Sequence, residues 1–288
     1  MSPRWTGCLA GPPARALLAL FAMLAAPAHA STPPATADTG PTSAGAAMTD
    51  SQREAVSLLR RMTEHLAGLE AFSFGFRDGY DVVQQSGQKI EFGETRRVTI
   101  ARPDRLRVEE VSSDGKRDLA IFDGKNISVL DADAGVYAQA AQPGSVDDAL
   151  GYFVRSLRIR MPLGLLLTKN LPEALAGRIK GIDYVERTDL LGVPTHHVAG
   201  RGENVDFQFW ITEDDHPLPL RVVITYVHAE GQPQFWANFS DWNTQPKLTP
   251  ATFRFTAPQG AKKIPFAVQL RVSPNGAAPA APGAQGQP

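Results

Sequence analysis

Phe72-Ser73-Phe74-Gly75-Phe76-Arg77-Asp78-Gly79-Tyr80-Asp81-Val82-Val83-Gln84-Gln85 is the stretch whose period decides the fold. Phe72, Phe74, Phe76, Tyr80 and Val82 share one parity, while Ser73, Gly75, Arg77 and Gln85 take the other. Successive side chains of a strand point to opposite faces, so this alternation predicts a strand with one buried face. Just upstream the period is helical. Ala55, Leu58, Leu59, Met62, Leu66 and Leu69 recur three and four apart, which predicts an amphipathic helix over about 51–69. Ser51 and Glu54 have capping-box spacing at its start.

Downstream, period-two segments are expected at 88–101, 105–112, 116–122, 126–131 and 135–140, with turn chemistry at Asp123-Gly124 and Asp133-Ala134-Gly135. The centre returns to helix: Ser145 can cap a segment carrying Val146, Ala149, Leu150, Phe153, Val154 and Leu157. Short helices at 163–167 and 171–175 follow, punctuated by Pro162 and Pro172. Strands resume at about 182–188, 193–200, 204–212, 219–229, 233–242 and 252–256. Helix, strands, helices, strands is an α+β order that is mainly β. Every apolar face is satisfied by one strongly curved antiparallel sheet, an incomplete barrel, with the N-terminal and central helices as a lid over its concave side.

The ends have another character. Arg4 and Arg15 precede the apolar run Ala16–Ala26, Pro27 and then Ala28-His29-Ala30, the charged, apolar and small-residue order of a secretory signal. The run is about a dozen residues against roughly 20 for a bilayer span, so no permanent membrane span is expected. Cys8, the one cysteine, lies ahead of the run. Cleavage after Ala30 would leave an unlipidated, thiol-free, soluble chain in the periplasm. The expected organisation is a signal peptide at 1–30, a flexible Pro/Ala/Thr-rich linker at 31–48, a globular domain at 49–272 and a disordered Pro/Gly-rich tail at 273–288.

Lys+Arg 29 against Asp+Glu 30 gives no electrostatic case for nucleic acid. Arg96-Arg97 and Lys262-Lys263 read as solvated spots. His196 and His197 are adjacent on a strand, so they point to opposite faces and do not chelate one metal together. His-Glu-x-x-His and Gly-x-Ser-x-Gly are both missing. Asp147-Asp148 fits the first turn of a helix and Asp214-Asp215 a hairpin turn. No catalytic residue, metal or cofactor is expected, and no enzyme.

Four segments carry a family resemblance. Arg102-Pro103-Asp104-Arg105-Leu106-Arg107-Val108-Glu109 resembles a strand entry of periplasmic lipoprotein carriers of the LolA/LolB type. Phe122–Asp131, running on to Tyr137, resembles their next hairpin, and Trp210–Leu220 their Trp strand, acidic turn and Leu-Pro strand. Phe239–Asn243 with Phe253–Ala261 is similar to their closing strand pair. More narrowly, the chain resembles a branch of predicted periplasmic proteins with no settled activity. The lid-locking arginine of the carriers is not matched at Arg77, Arg96 or Arg97.

The resemblance implies a helix-lidded half-barrel around an apolar cavity that accepts acyl chains. The residues expected to line it are Phe72, Phe74, Phe76, Phe92, Leu106, Val108, Phe207, Phe209, Val222, Tyr226 and Trp236. The expected function is binding or carriage of a lipid or acylated ligand. The alternative is an envelope sensor or protein-interaction module on the same scaffold, with an envelope protein as partner.

Overall fold

A computed structural model describes residues 47–156 and 161–266. The signal segment 1–30, nearly all of the linker, and the tail lie outside the described residues. Helix α1 (Asp50–Gly68) is followed by strands β1 (Ala71–Val83), β2 (Lys89–Ala101), β3 (Arg105–Ser112), β4 (Arg117–Phe122), β5 (Asn126–Asp131) and β6 (Val136–Ala141). Next come α2 (Val146–Gly151), a π-helical turn at Tyr152–Ser156, a 3-10 turn at Gly164–Leu167 and α3 (Leu171–Ala176). Strands β7 (Gly181–Leu190), β8 (Val193–Arg201), β9 (Asp206–Thr212), β10 (Pro219–Thr225) and β11 (Gln234–Asn243) complete the second set. A 3-10 turn at Pro250–Phe253 and β12 (Lys262–Lys263) close the described chain.

All twelve strands form one sheet, ordered β12-β6-β5-β4-β3-β2-β1-β11-β10-β9-β8-β7. It is two antiparallel meanders, β1–β6 and β7–β11, joined where β1 pairs with β11 (Phe76 opposite Phe239). The ends β12 and β7 do not pair with each other, so the sheet is open rather than a closed barrel. Helix α1 and the helices that link the meanders cover the concave face. There Leu58, Leu59, Met62 and Leu66 of α1 meet Phe72, Phe74, Val98, Ile100, Val198, Phe209 and Val222 in one core. Burying that face is the main driving force of such a layer, at about 25 cal/mol per Å2 of apolar surface.

Local chemistry moves two boundaries. The capping box of α1 is Thr49 with Gln52: Thr49 Oγ1 accepts from the Gln52 N–H at 3.2 Å, and Gln52 Oε1 accepts from the Thr49 N–H at 3.0 Å. The motif therefore sits two residues before the expected Ser51/Glu54 pair. Ser51 is used elsewhere: its hydroxyl donates to the Tyr184 carbonyl at 3.1 Å and accepts from the Tyr184 N–H at 3.0 Å. That bond docks the start of α1 on β7.

The expected strand at 252–256 is corrected. Pro250 sets a helical φ, the Thr249 N–H donates to Thr252 Oγ1 at 3.3 Å, and a 3-10 turn forms. Phe253 is buried all the same. Sheet pairing resumes only at β12, where Lys262 and Lys263 run parallel to Val136 and Tyr137 of β6.

Candidate functional site: the concave face of the sheet

Register places the concave face in rows. The first row crosses Phe72, Ile100, Leu106 and Phe122; the second crosses Phe74, Val98, Val108 and Ala120. Both lie under the helices. The Phe74 and Trp242 rings stack with centroids 4.4 Å apart, and Phe74 and Phe239 stand at 5.7 Å. Trp242 reaches this face because Asp241 has φ 53 and the β1–β11 register shifts there. A bulge of this kind re-aims the residue that follows it.

The third row changes character: Phe76, Arg96, Glu110, Asp118 and Asp131 lie side by side on β1 to β5. Arg96 Nη1 donates to Asp78 Oδ1 at 2.5 Å and its Nε to Glu110 Oε2 at 2.7 Å, while Nη2 donates to Glu94 Oε2. The guanidinium sits 5.7 Å from the centroid of the Phe76 ring. Asp78, Glu94 and Glu110 are all buried. Burial pushes the carboxyls of Asp78 and Glu110 up from their ordinary values, and the adjacent guanidinium opposes this only partly. Among the described residues, the buried Oε1 atoms of Glu94 and Glu110 have no hydrogen-bond partner.

Beyond this charged band β1 and β2 continue as a hairpin. Tyr80 pairs with Phe92, their rings 6.1 Å apart, and Val82 pairs with Ile90. Phe92 is 37% and Ile90 38% exposed, on a face whose rows under the helices are closed. Phe235 of β11 stands opposite Tyr80, and Ile224 of β10 opposite Phe235, so this rim runs across four strands.

Of the residues expected to line a cavity, Phe72, Phe74, Phe76, Leu106, Phe207, Phe209 and Val222 are buried together on the concave face, with Val108 half-buried beside them. They form packed core beneath the helices. Phe207 lies so close over Gly200 that a Cβ there would stand 2.2 Å from the ring. Tyr226 is half-buried just beyond β10 against the same core, and Phe92 belongs to the exposed rim.

Trp236 is corrected to the convex face. It pairs with Gly79, whose added Cβ would lie 2.6 Å from the indole, and its Nε1 donates to Glu91 Oε2 at 2.8 Å. Arg221 lies between two indoles, 5.5 Å from the Trp210 ring and 5.4 Å from the Trp236 ring, and His197 stacks on Trp210 at 4.1 Å. This convex ladder satisfies its own ring faces.

Arg96 is likewise not a solvated charge; among the residues of that basic spot only Arg97 is exposed. Its signal was parity, since Glu94 and Arg96 share the register of Phe92, Val98 and Ile100. Arg102 was also missed. Buried, it donates from Nη1 to the carbonyls of Leu66 and Leu69 and from Nη2 to that of Leu167 at 2.9 Å. Its guanidinium lies 5.1 Å from the centroid of the Phe72 ring.

Among the described residues no group of three or more His, Cys, Asp or Glu is arranged to hold a metal ion. Among them, too, no helix is long and apolar enough to cross a membrane.

An open antiparallel sheet with helices over its concave face, carrying a buried charged band and an aromatic rim, defines a helix-lidded half-barrel. The chain belongs to the DUF2092 family, described as predicted periplasmic proteins, which it matches over residues 55–267. Family and location agree with the expected periplasmic branch. No curated protein matches the sequence.

Similar solved structures include LprF from Mycobacterium bovis, 16% identical, covering 73% of this chain and 98% of that one, with a TM-score of 0.44. A LolA superfamily protein from Nitrosomonas europaea is 9% identical, covers 70% and 97%, and has a TM-score of 0.36. The MucA/MucB complex of Pseudomonas aeruginosa is 19% identical, covers 71% and 62%, and has a TM-score of 0.38.

Proposed function

We propose that the protein is a passive periplasmic binding or carrier protein for a hydrophobic, lipid or acylated ligand. The observation that carries this reading is the rim: Phe92 and Ile90 stand exposed on the concave face, continuous with Tyr80 and Phe235. An acyl chain laid there removes that surface from water at about 25 cal/mol per Å2. Phe92 and Tyr226 are the first contacts. Phe72, Phe74, Phe76, Leu106, Val108, Phe207, Phe209 and Val222 become ligand contacts only as the helices lift from the sheet. The role involves no bond-making step.

The test is native mass spectrometry of protein purified from the periplasm, with extraction of bound lipid and displacement of a fluorescent fatty-acid probe. A co-purified lipid, with probe binding weakened about tenfold by Phe92→Glu, is the expected result. Absence of both lipid and probe binding removes the carrier reading.

A second reading is favoured by the β7 end of the sheet. Val185 is 49% and Leu191 80% exposed there, on a strand that pairs with one other strand among the described residues and is capped at Tyr184 by Ser51. Such an edge suits pairing with a strand of an envelope protein. Proline at Val185 that abolishes capture of a partner, while lipid is still absent, would favour it.

A further inference from the structure

The geometry points to a ligand whose polar end is a cation, an alkylammonium, received by Glu94 and Glu110 in the charged band next to the rim. This rests on the hydrophobic-ligand reading and adds the chemistry of the headgroup to it.

The charge count is the first argument. One guanidinium, Arg96, faces three buried carboxylates: Asp78 on β1, Glu94 on its own strand and Glu110 on β3. Asp118 and Asp131 continue the same row on β4 and β5, and Tyr80 borders it toward the rim. Asp78, Glu94 and Glu110 against one guanidinium in a poorly solvated place disfavour a carboxylate or phosphate headgroup.

Unused acceptors are the second argument. The Glu94 and Glu110 side chains are only 2% and 4% exposed, and each turns one oxygen, Oε1, to no donor among the described residues. A buried charged acceptor without a donor is costly, and an ammonium supplies three donors and the missing charge together.

Position is the third. The band lies between the packed apolar rows and the rim formed by half-buried Tyr80 and exposed Phe92. A single amphiphile can rest its chain on the rim while its head, displacing Tyr80, meets the glutamates.

Calorimetry with dodecylamine, dodecanol and dodecanoic acid, each below its micelle or solubility limit at neutral pH, separates the parts. The expected order is amine tightest, with at least a tenfold preference over the acid. Glu94→Gln with Glu110→Gln should erase the preference while dodecanol binding is retained. Dodecanol binding with no preference for the amine overturns the headgroup inference alone. Failure of all three ligands removes the hydrophobic-ligand reading and this inference with it. The comparison on the unaltered protein stands even if the double variant does not fold.

Discussion

The guanidinium of Arg102 donates from Nη2 to the Leu167 carbonyl at 2.9 Å, tying the turn that leaves β2 to the 3-10 turn of the central helices. Its Nη1 serves the carbonyls of Leu66 and Leu69 at the end of α1. One side chain at the end of β2 thus holds both parts of the helical cover.

Arg102→Met should therefore loosen the cover before the sheet. It keeps the stem over Phe72 and leaves buried carbonyls without donors, a loss of about 2–3 kcal/mol for bonds to a charged group. Hydrogen exchange should quicken in the Gly164–Leu167 turn and the last turn of α1, with β1 and β2 still protected. Equal protection in the variant and the unaltered protein would show that Arg102 does not hold the cover.

Acid should destabilise the same end of α1. The His65 and His216 rings stack at 5.0 Å, and burial, then the charge of His216, lower the pKa of His65 from 6.5, with Asp214 opposing. The unfolded chain thus binds a proton that the folded chain resists, so stability falls as pH drops through and below about 6.5. Urea unfolding between about pH 7.5 and 5.5 should show this slope, and His65→Gln should flatten it.

Phe74→Ala removes the ring at the centre of the aromatic core and should cost about 3–5 kcal/mol. Trp242 fluorescence should shift, because its stacking partner is lost. Phe92→Ala on the rim should cost less than about 1 kcal/mol, as exposed positions do. Equal losses at both sites would contradict the division into core and rim.

Gly79→Val tests the convex face. Its Cβ would lie 2.6 Å from the Trp236 indole, so the ring must leave Arg221 and Glu91. A loss of about 1–3 kcal/mol is expected, with a change in Trp236 emission and no change in binding of a concave-face ligand. Wild-type emission in the variant would mean that the ladder tolerates the side chain.

Much of the fold was legible. Strand period placed β1 through β6 within a few residues, since a half-buried strand writes its burial directly into alternation. Turn chemistry at Asp123-Gly124 placed a real hairpin, where Gly124 has φ 84. The capping box was recognised by spacing, but Thr49-x-x-Gln52 and Ser51-x-x-Glu54 both satisfy it. Only the contact of Ser51 with Tyr184 separates them. The strand expected at 252–256 failed because Phe253 and Phe255 alternate while Pro250 and Thr249 favour a turn.

For the site, alternation sorts residues within a strand but does not say which parity faces inward in its neighbour. Trp236 and Trp242 show the consequence. Both lie on β11 with even numbers, yet the bulge at Asp241 sends Trp242 into the core and leaves Trp236 on the outer surface.

The sequence alone determined the mainly β class, the helical cover and the grouping of aromatic residues on strands, because local period and turn chemistry act over a few residues. Register, the bulge and the sheet order decided what those residues do. They gathered Asp78, Glu94, Arg96 and Glu110 from three strands into one buried band, and carried Arg102 to carbonyls dozens of residues away. Such juxtapositions arise from pairing between distant segments, which no local pattern encodes.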